Sequence, residues 1–575
     1  MRTIETEVLV VGAGPSGLTA AIALARLGIG VVAVSRYRGP AHTPRAHITN
    51  IRTVEVFRDL GVEDDVKAVA HSLSFLRHNV FGVTLAGTEV ARYRSYGTPA
   101  DRLSDYAIAS PCKPINAPQH VMEPALLVAA LREGADIRYS VELARIEQTS
   151  EAVIGHVRDT STGEALVIKA KYAIGADGGR SLVAEQLGIQ FEGEAGLRSM
   201  VNMWVEADLS KYTAYRPGVL YTMMQPPTDK WAGTGTWMCV RPWDDWVFVS
   251  PGSADTPEAE LLRRARATIG DPEVEIRVKN IVGWQVNHLY ADRYRVGRIF
   301  IAGDAAHRHP PAGGLGTNTS VQDSYNLAWK LAFVLRGKAG EALLDTYNDE
   351  RQPVGRHVVQ RAMKSLHNSG SIADALAYQP GQSREEGDAA VSELFSAAPG
   401  AAARRSVLAE AVKLQNYRSN AIGVELGQHY ASTAVVDDGT PFPTPKRDPE
   451  LYYEPTTHPG AFVPHAYVEY QRQEISTVDL GGGGRFTVFT GIGGEPWREA
   501  AQEVGAELGI DLTVLQIGPS CEYKDVLGDW AKIREIADDG ALLVRPDRYI
   551  GWRAASLSES PATELRGALK QILSL

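Results

Sequence analysis

A glycine-rich turn near the N-terminus, between an apolar strand and a helix, is the feature that most constrains the fold. The sequence GAGPSG at residues 12–17 follows the apolar run EVLVV at 7–11 and precedes a helical pattern. Gly12 permits a tight turn, Gly14 lets a pyrophosphate approach the backbone, and Gly17 lets the helix pack closely on the strand. Because a second apolar strand follows at 30–34, the order strand, turn, helix and strand predicts a dinucleotide-binding unit.

The end of that second strand departs from the usual pattern. An acidic residue normally stands there and bonds the ribose hydroxyls, whereas this chain has Ser35 and Arg36. The Ser35 hydroxyl can still form a hydrogen bond, and the Arg36 guanidinium can face adenine or a phosphate. We therefore expect both residues at the adenosine end of the dinucleotide.

Two later turns repeat the arrangement of a strand followed by glycine. DGGRS at 177–181 follows a strand predicted at 172–176, and Gly303-Asp304 follows the apolar run IFIA at 299–302. Each turn puts a carboxylate, Asp177 or Asp304, at the C-terminal end of a strand, where open α/β sheets bind ligands. Either turn alone could be a helix cap or a simple connection. Three such turns in one chain predict that they converge on one ligand.

Two further segments have the composition of ligand-binding loops. HRHPPAGGLGTN at 307–318 leads into an amphipathic helix predicted at 320–335, whose N-terminal dipole and loop N–H groups would face a ligand. PRAHITNIRT at 44–53 leads into a helix predicted at 54–60 and carries two arginines and a histidine. Beside a dinucleotide unit, these side chains favour ligand contact over a solvated helix terminus.

Alternating apolar and polar residues from about 191 to 287 predict a set of antiparallel strands. These strands are rich in Trp, Tyr and Met, as the wall of an aromatic-binding pocket would be, although core packing accounts for such residues equally well. Tyr221 and Arg241 are candidates for binding polar groups of a substrate in this section.

The last part of the chain, after PFPTP at 441–445, reads as a separate unit. Its predicted order, β-α-β then β-β-α, resembles a thioredoxin-like fold. The three cysteines, Cys112, Cys239 and Cys521, are far apart in sequence, so neither a CxxC redox site nor a disulfide framework is expected.

Charge and hydropathy exclude several classes of partner. The formal net charge is -10 and there is no long basic run, which argues against nucleic acid. No apolar run approaches the roughly 20 residues of a membrane span. The N-terminus begins almost directly on a strand without a signal peptide, so a cytoplasmic protein is expected. No residue cluster suggests a metal site.

The three turns, together with the 44–53 and 307–318 segments, resemble the single-component flavoprotein aromatic hydroxylases, and specifically their phenol-hydroxylase branch. The resemblance covers residues 1 to about 363, and RPDRYIGWR at 545–553 extends it into the C-terminal unit. It implies an α/β fold with a Rossmann-like FAD-binding domain, an inserted antiparallel β-sheet substrate domain and a C-terminal thioredoxin-like domain lacking CxxC. The expected ranges are 1–188 and 291–370 for the FAD-binding domain, 189–290 for the substrate domain, 371–440 for a helical linker and 441–575 for the last domain.

By the same resemblance, noncovalent FAD would be reduced by NADPH or NADH and would react with O2 to a flavin hydroperoxide that hydroxylates a small phenol. A homodimer or a higher oligomer is implied as well. The residues expected to bind FAD are Gly12, Gly14, Pro15, Ser16, Gly17, Ser35, Arg36, Arg45, Gln119, Asp177, Asp304, Pro311, Gly314, Gly316, Thr317 and Asn318. Ala184 stands where the family has an arginine after the second turn.

A base beside the phenol would accelerate its attack, because a phenolate is the better nucleophile. Phenol hydroxylases have an aspartate a few residues before the Arg52-Thr53 pair, and this chain has His47 there. His47 is therefore a candidate for deprotonating or orienting the substrate, or alternatively for contacting flavin or capping a helix. Pro311 is the other candidate in the reaction centre, on the loop beside the flavin ring. A flavin-dependent halogenase and a nonenzymatic flavin-binding sensor are the alternative functions.

Overall fold

The protein is described by a computed structural model that covers residues 2–228, 231–379 and 381–575. A six-stranded sheet is built on the first glycine turn, and all its strands are parallel except an edge strand. Its central strands are continuous runs of buried residues, most of them valine, as expected for a sheet covered on both faces. In order across the sheet the strands are Arg295–Val296, Ile299–Ile301, Tyr172–Gly175, Val8–Val11, Val31–Ser35 and Asp136–Tyr139.

Two smaller sheets and a group of helices complete this part of the chain. One sheet has four strands, Arg2–Glu5, Ala165–Ala170, Val153–Asp159 and Val141–Gln148, and the other has Ile48–Thr49, Ile115–Asn116 and His71–Ser72. The helices are Pro15–Arg26, Ile51–Asp59, Glu63–Lys67, Leu103–Ala109, Gln119–Arg132, Leu182–Gln186, Gly316–Leu335 and Asp345–Leu376, with short 3-10 turns at Gly303–Ala305 and Glu341–Leu344.

The sequence-predicted β-rich section forms most of an eight-stranded sheet. Its strands, in order, are His307–Arg308, Arg277–Ala291, Phe191–Glu206, Asp245–Pro251, Thr234–Arg241, Gly218–Met224, His78–Gly82 and Glu89–Arg94. The last two strands come from much earlier in the chain and were not predicted. Because Gly218–Met224 pairs in parallel with His78–Gly82, the sheet is mixed and not purely antiparallel. Helices Ser210–Thr213 and Glu258–Ile269 belong to the same region.

Strand alternation gives this sheet one closed face and one open face. On the closed face, Tyr221, Trp237 and Phe248 are fully buried in a core with helix Glu258–Ile269. Their strand neighbours point the other way, and most of them stay partly exposed, with Val247 as a buried exception. The open face carries Leu220, Thr222, Thr236, Met238, Asn202 and Trp204.

The helical linker and the C-terminal unit follow. The linker contains Arg384–Leu394, Ala401–Leu414, Asn416–Ser419 and Ile422–Leu426. The C-terminal sheet has the order Leu512–Gln516, Phe486–Thr490, Ala541–Val544, Ile550–Ala554, in which only the first pair is parallel. A hairpin, Tyr467–Tyr470 with Gln473–Ser476, and helices Thr477–Leu480, Glu495–Leu508, Asp529–Ile533 and Pro561–Ile572 surround it.

A buried ion network joins the C-terminal unit to the helices of the first part. The Glu350 carboxylate accepts hydrogen bonds from Arg545 Nη1 at 2.6 Å and Nη2 at 2.8 Å, and from Lys330 Nζ at 2.7 Å. Asp547 binds the same guanidinium, and all of these charged groups are essentially inaccessible. Burial alone would raise the pKa of Glu350, but Arg545 and Lys330 outweigh it and lower that pKa. The network is therefore charged at neutral pH.

Replacing Glu350 by Gln is expected to reduce the free energy of unfolding by about 3–5 kcal/mol, because the buried Arg545 charge loses one of its two carboxylate partners and Lys330 loses the carboxylate that opposes the lowering of its pKa by burial. Glu341→Gln is the matched control: Glu341 is half exposed and pairs with Arg295 at 3.5 Å, a contact worth about 1 kcal/mol or less. Urea unfolding and limited proteolysis of both variants measure the difference. Equal stability of the two variants would contradict this account of the network.

His465 provides a pH-dependent contribution far from the glycine turns. Burial lowers its pKa to about 4, and its Nδ1 lies 2.7 Å from the Ser476 hydroxyl. Since the unfolded imidazole titrates near 6.5, the unfolded chain binds the extra proton between these values, and stability falls as pH drops from about 6.5 to 4. Compared with His465→Gln, the wild type should lose about 2–3 kcal/mol more between pH 7.5 and 4.5. Parallel pH dependences of the melting temperatures would rule out this contribution.

Candidate functional site

The three glycine turns meet at one place. Gly12 has φ +110°, and a Cβ there would stand 2.1 Å from the Ala176 carbonyl oxygen, so the first turn lies directly against the second. Gly303 has φ +64°, and a Cβ there would stand 3.3 Å from Ser16 Cβ, so the third turn lies against the first. The sequence therefore correctly predicted the convergence of the turns.

Two helix N-termini open onto the meeting point. Helix Pro15–Arg26 starts after Gly14 and helix Gly316–Leu335 after Leu315, and neither start has a side-chain cap. The first turn of a helix leaves its N–H groups without intrahelical partners and carries the positive end of the dipole. The second helix begins one turn earlier than predicted, so Gly316, Thr317 and Asn318 belong to its first turn. These N–H groups can bind negative charge.

Asn318 fastens the glycine loop to the segment that carries His47. Its Oδ1 accepts from the Asn50 N–H at 2.9 Å, and its Nδ2 donates to the Ile48 carbonyl at 2.9 Å. Gly314 stands so close to Ile48 that a Cβ would lie 3.0 Å from the Ile48 side chain. The loop and the strand next to His47 therefore form one rigid surface, with Pro311 on its exposed side.

Charged and polar side chains surround the cleft beside the first turn. Gln119 donates from Nε2 to Glu123 Oε1 at 2.5 Å, and that oxygen would lie 3.8 Å from a Cβ on Gly14. Arg45 is exposed and lies within electrostatic range of Glu123 and Asp304. The Asp304 carboxylate is accessible, but the surrounding protein atoms desolvate it and so raise its pKa. His307, Arg308 and Arg45 oppose that rise. Glu123, one turn after Gln119 on the same helix, was missed by the sequence analysis.

The second turn uses its carboxylate locally. Asp177 accepts from the Ser181 hydroxyl at 2.5 Å and from the Val183 N–H at 3.2 Å, so it caps the following helix. Burial raises the pKa of Asp177. Arg308, which was not predicted, donates to the Gly179 carbonyl at 2.6 Å and brings a cation to this turn from the third one. Ser35 and Arg36 lie at the end of the second strand, where Arg36 contacts the Tyr37 hydroxyl at 3.4 Å.

Behind the third turn, a buried ion group holds the backbone in place. Asp323 accepts from the Gly303 N–H at 3.1 Å, contacts His307 Nε2 at 2.8 Å and accepts from Arg351 Nε at 2.8 Å. Ser16 and Ser324 also join the first turn to helix Gly316–Leu335, with their hydroxyls 2.8 Å apart. His307 is therefore part of the scaffold and does not face the cleft.

His47 is the buried polar side chain at the other end of the glycine loop. Neither ring nitrogen has a hydrogen-bond partner of normal geometry among the described residues. Burial lowers its pKa to about 4, aided by repulsion between the protonated forms of His47 and His120, while Asn116 and the Cys239 carbonyl oppose this lowering. The ring is therefore neutral at physiological pH and can accept a proton.

The open face of the eight-stranded sheet lies opposite this segment. Trp204 on that face contacts the His120 ring, with the two centroids 5.5 Å apart. Tyr221 does not reach the site, because it points to the closed face, where its hydroxyl donates to the Arg216 carbonyl at 2.8 Å. Arg241 is exposed at the end of its strand and pairs with Asp244 at 2.8 Å. The alternation of the strand separates Tyr221 from the aromatic face, whereas the Arg241 guanidinium is held at the exposed end of its strand by Asp244.

The arrangement fits FAD. The glycine turns provide bare backbone for a pyrophosphate, Asp304 and Glu123 provide acceptors for hydroxyl groups, and the helix Gly316–Leu335 presents N–H groups to a ring edge that gains negative charge. No cluster of metal-ligating side chains occurs in the described ranges. No helix among those residues is long and apolar enough to cross a membrane.

Comparison with known proteins agrees with this geometry. Residues 5–362 match the FAD binding domain family, and residues 456–574 match the family described as aromatic-ring hydroxylase, C-terminal. The chain therefore belongs to the FAD-dependent aromatic-ring hydroxylases, which are monooxygenases.

Individual relatives narrow the comparison. The chain is 44% identical to 2,4-dichlorophenol 6-monooxygenase of Delftia acidovorans, over 100% of this chain and 99% of that protein. It is 40% identical to phenol 2-monooxygenase of a Pseudomonas species, over 98% and 92% of the two chains. The crystal structure of the flavin-dependent monooxygenase PieE in complex with FAD and substrate superposes with a TM-score of 0.96, at 44% identity and 100% coverage of both chains.

Proposed function

We propose that this enzyme hydroxylates a small phenol, with NADPH or NADH and O2 as co-substrates, and that His47 accepts the phenol proton. The observation that carries the proposal is the unsatisfied, buried imidazole of His47 beside the glycine loop. A buried polar group without a partner is costly unless a ligand supplies one. A phenol hydroxyl would donate to the neutral ring.

The open face of the sheet supports an aromatic substrate. Trp204, Leu220 and Met238 offer apolar contact area, and the Thr222 and Thr236 hydroxyls, 3.3 Å apart, add a polar spot. Such a surface, mostly apolar with a few polar groups, is typical of small-molecule sites. The named relatives that act on phenols, 2,4-dichlorophenol 6-monooxygenase and phenol 2-monooxygenase, favour the same class.

FAD bound in the cleft would supply the redox chemistry, by taking electrons from the nicotinamide and activating O2. The chain's own contribution is to position the reactants. The Gly316–Asn318 N–H groups would bind the flavin's pyrimidine edge, Asp304 its ribityl chain and residues 12–17 its pyrophosphate. The nicotinamide donor would approach past cations that border the cleft entrance. Arg36 contacts the exposed Tyr37 and lowers the pKa of its hydroxyl, and Arg45 and Arg180 add to this lowering.

We also infer that the C-terminal unit has a thioredoxin-like topology and stabilises the first part of the chain, to which the Glu350 network joins it. Support comes from its strand order, second-first-third-fourth, with one parallel and two antiparallel pairs. Cys521 is the only cysteine in this unit, so disulfide exchange is not expected. For the domain ranges, we propose that the strands between residues 78 and 94 belong with the substrate domain 189–290.

The test is to mix the purified enzyme with NADPH or NADH and a panel of phenols, 2,4-dichlorophenol included. We expect a phenol to accelerate nicotinamide oxidation and to gain one oxygen atom from 18O-labelled O2. Nicotinamide oxidation that no phenol of the panel accelerates, with no hydroxylated product, would overturn the proposal. Formation of a halogenated product in chloride buffer would instead support the halogenase alternative, which the relatives do not favour.

A further inference from the structure

The proton that His47 takes from a phenol has to leave a buried site, and one neighbour is placed to receive it. The Ala117 N–H donates to the His47 carbonyl at 2.8 Å, and the Gln119 N–H donates to the Ala46 carbonyl at 3.1 Å. These bonds hold the start of helix Gln119–Arg132 against the His47 segment. These backbone bonds place His120 near His47, although no direct hydrogen bond joins the two rings.

His120 itself lies between the buried site and the surface. It is partly exposed, its Nδ1 has no hydrogen-bond partner in the described residues, and its ring meets Trp204 edge-on. The Trp204 Nε1–H donates to Asp245 Oδ1 at 2.7 Å, and Lys279 Nζ donates to the same oxygen at 2.9 Å. Lys279 also lies over the Trp204 ring and is one-fifth exposed. These residues extend from His120 to solvent.

We propose that His47 and His120 form a two-step path for the substrate proton, which makes His120 a positioning and relay residue of the reaction. The inference rests on the proposed function, since it requires His47 to accept from the phenol. The phenol O–H bond breaks and the proton binds a His47 ring nitrogen. Because the two rings share no direct hydrogen bond, a bridging water takes the proton from His47 and gives one of its own protons to His120, which releases a proton to solvent beside Asp245 and Lys279. No group changes its oxidation state in these steps.

Of the charged groups around the path, Asp245 favours transfer of the proton towards His120. Burial lowers the pKa of both histidines, so both are neutral acceptors at pH 7. Asp245 favours the protonated form of His120, whereas Lys279 disfavours it. The other neighbours of His47, Asn116 and Cys239, do not carry charge there, because burial raises the pKa of the Cys239 thiol well above its usual range. His71, next to Asn116 in the three-stranded sheet, has its pKa lowered by burial and by Arg241.

The experiment uses the FAD-loaded His120→Gln enzyme and 2,4-dichlorophenol as the probe. Stopped-flow absorbance follows ionisation of the bound phenol, and a pH series follows hydroxylation. We expect ionisation to slow by about tenfold at pH 6.5, with recovery as hydroxide becomes abundant at higher pH and upon addition of imidazole. FAD content and KM should stay close to those of the wild type. His156→Gln is the control, because His156 is an exposed histidine paired with Glu147 on a distant strand.

Outcomes for His47→Gln and His120→Gln separate the two claims. Loss of phenol ionisation in His47→Gln, with slow and imidazole-sensitive ionisation in His120→Gln, supports the relay. Impaired His47→Gln with wild-type kinetics, pH profile and imidazole response in His120→Gln overturns the relay alone. A fully active His47→Gln overturns the proposed proton acceptor and the relay with it. If His120→Gln loses FAD, His120→Asn and the same imidazole response decide the question.

Discussion

A Gly12→Ala variant is expected to purify without FAD. The added methyl group would lie 2.1 Å from the Ala176 carbonyl oxygen and 3.0 Å from the Asp177 N–H, both of them backbone atoms that cannot rotate away. The first and second turns would have to separate, and the pyrophosphate site between them would be lost. Absorbance at about 450 nm and the flavin released on denaturation measure the result.

Gly134→Ala is the matched control for this variant. Gly134 also has a positive φ, +90°, but an added Cβ would meet no atom within 4 Å. It should show the conformational cost of an alanine there, about 1–2 kcal/mol, and keep its FAD. If both variants retain flavin equally, close contact between the first two turns does not determine cofactor binding.

His47→Gln is expected to lower kcat by about 100- to 10,000-fold, the usual contribution of a general base. Glutamine can occupy the space but cannot take a proton. FAD content and reduction of the flavin by NADPH should remain, since the residues assigned to those steps are untouched. Single-turnover hydroxylation of 2,4-dichlorophenol and steady-state kcat separate the two effects.

The pH profile of the wild type gives a second readout of the same residue. Because the pKa of His47 is about 4, the ring stays neutral and able to accept as pH falls from 8 to about 5. The rate limb that depends on His47 should therefore lie near pH 4 and disappear in His47→Gln. A limb that persists unchanged in the variant would assign it to another group.

Local sequence patterns were sufficient to predict that the three glycine turns meet. Gly12, Asp177 and Gly303 each stand at a strand-to-helix turn, and the C-terminal ends of neighbouring parallel strands meet at one edge of a sheet. The loop before helix Gly316–Leu335 was predicted as well, but the helix was predicted to start at residue 320 and starts at Gly316. Asn318 lies in the first turn of this helix, and its side chain bonds both Ile48 and Asn50.

The substrate end of the site could not be predicted in the same way, because it is formed by long-range contacts that no local sequence pattern shows. Tyr221 and Trp204 are both aromatic residues in predicted strands, yet only Trp204 faces His120, and strand parity relative to the other domain was unknown. Strand His78–Gly82 has no alternating pattern, and beside its hairpin partner Glu89–Arg94 it pairs with a strand about 140 residues later. Glu350 and Arg545, separated by 195 positions, likewise meet only in the folded chain.

Titration of FAD into the apoprotein tests the central claim most directly, namely that three separate turns form one FAD site. The apoprotein should be folded by circular dichroism and should bind one FAD per chain, with quenching of flavin fluorescence and recovery of phenol-stimulated NADPH oxidation. A folded apoprotein that binds no FAD, or binds it equally well after Gly12→Ala, would contradict the account.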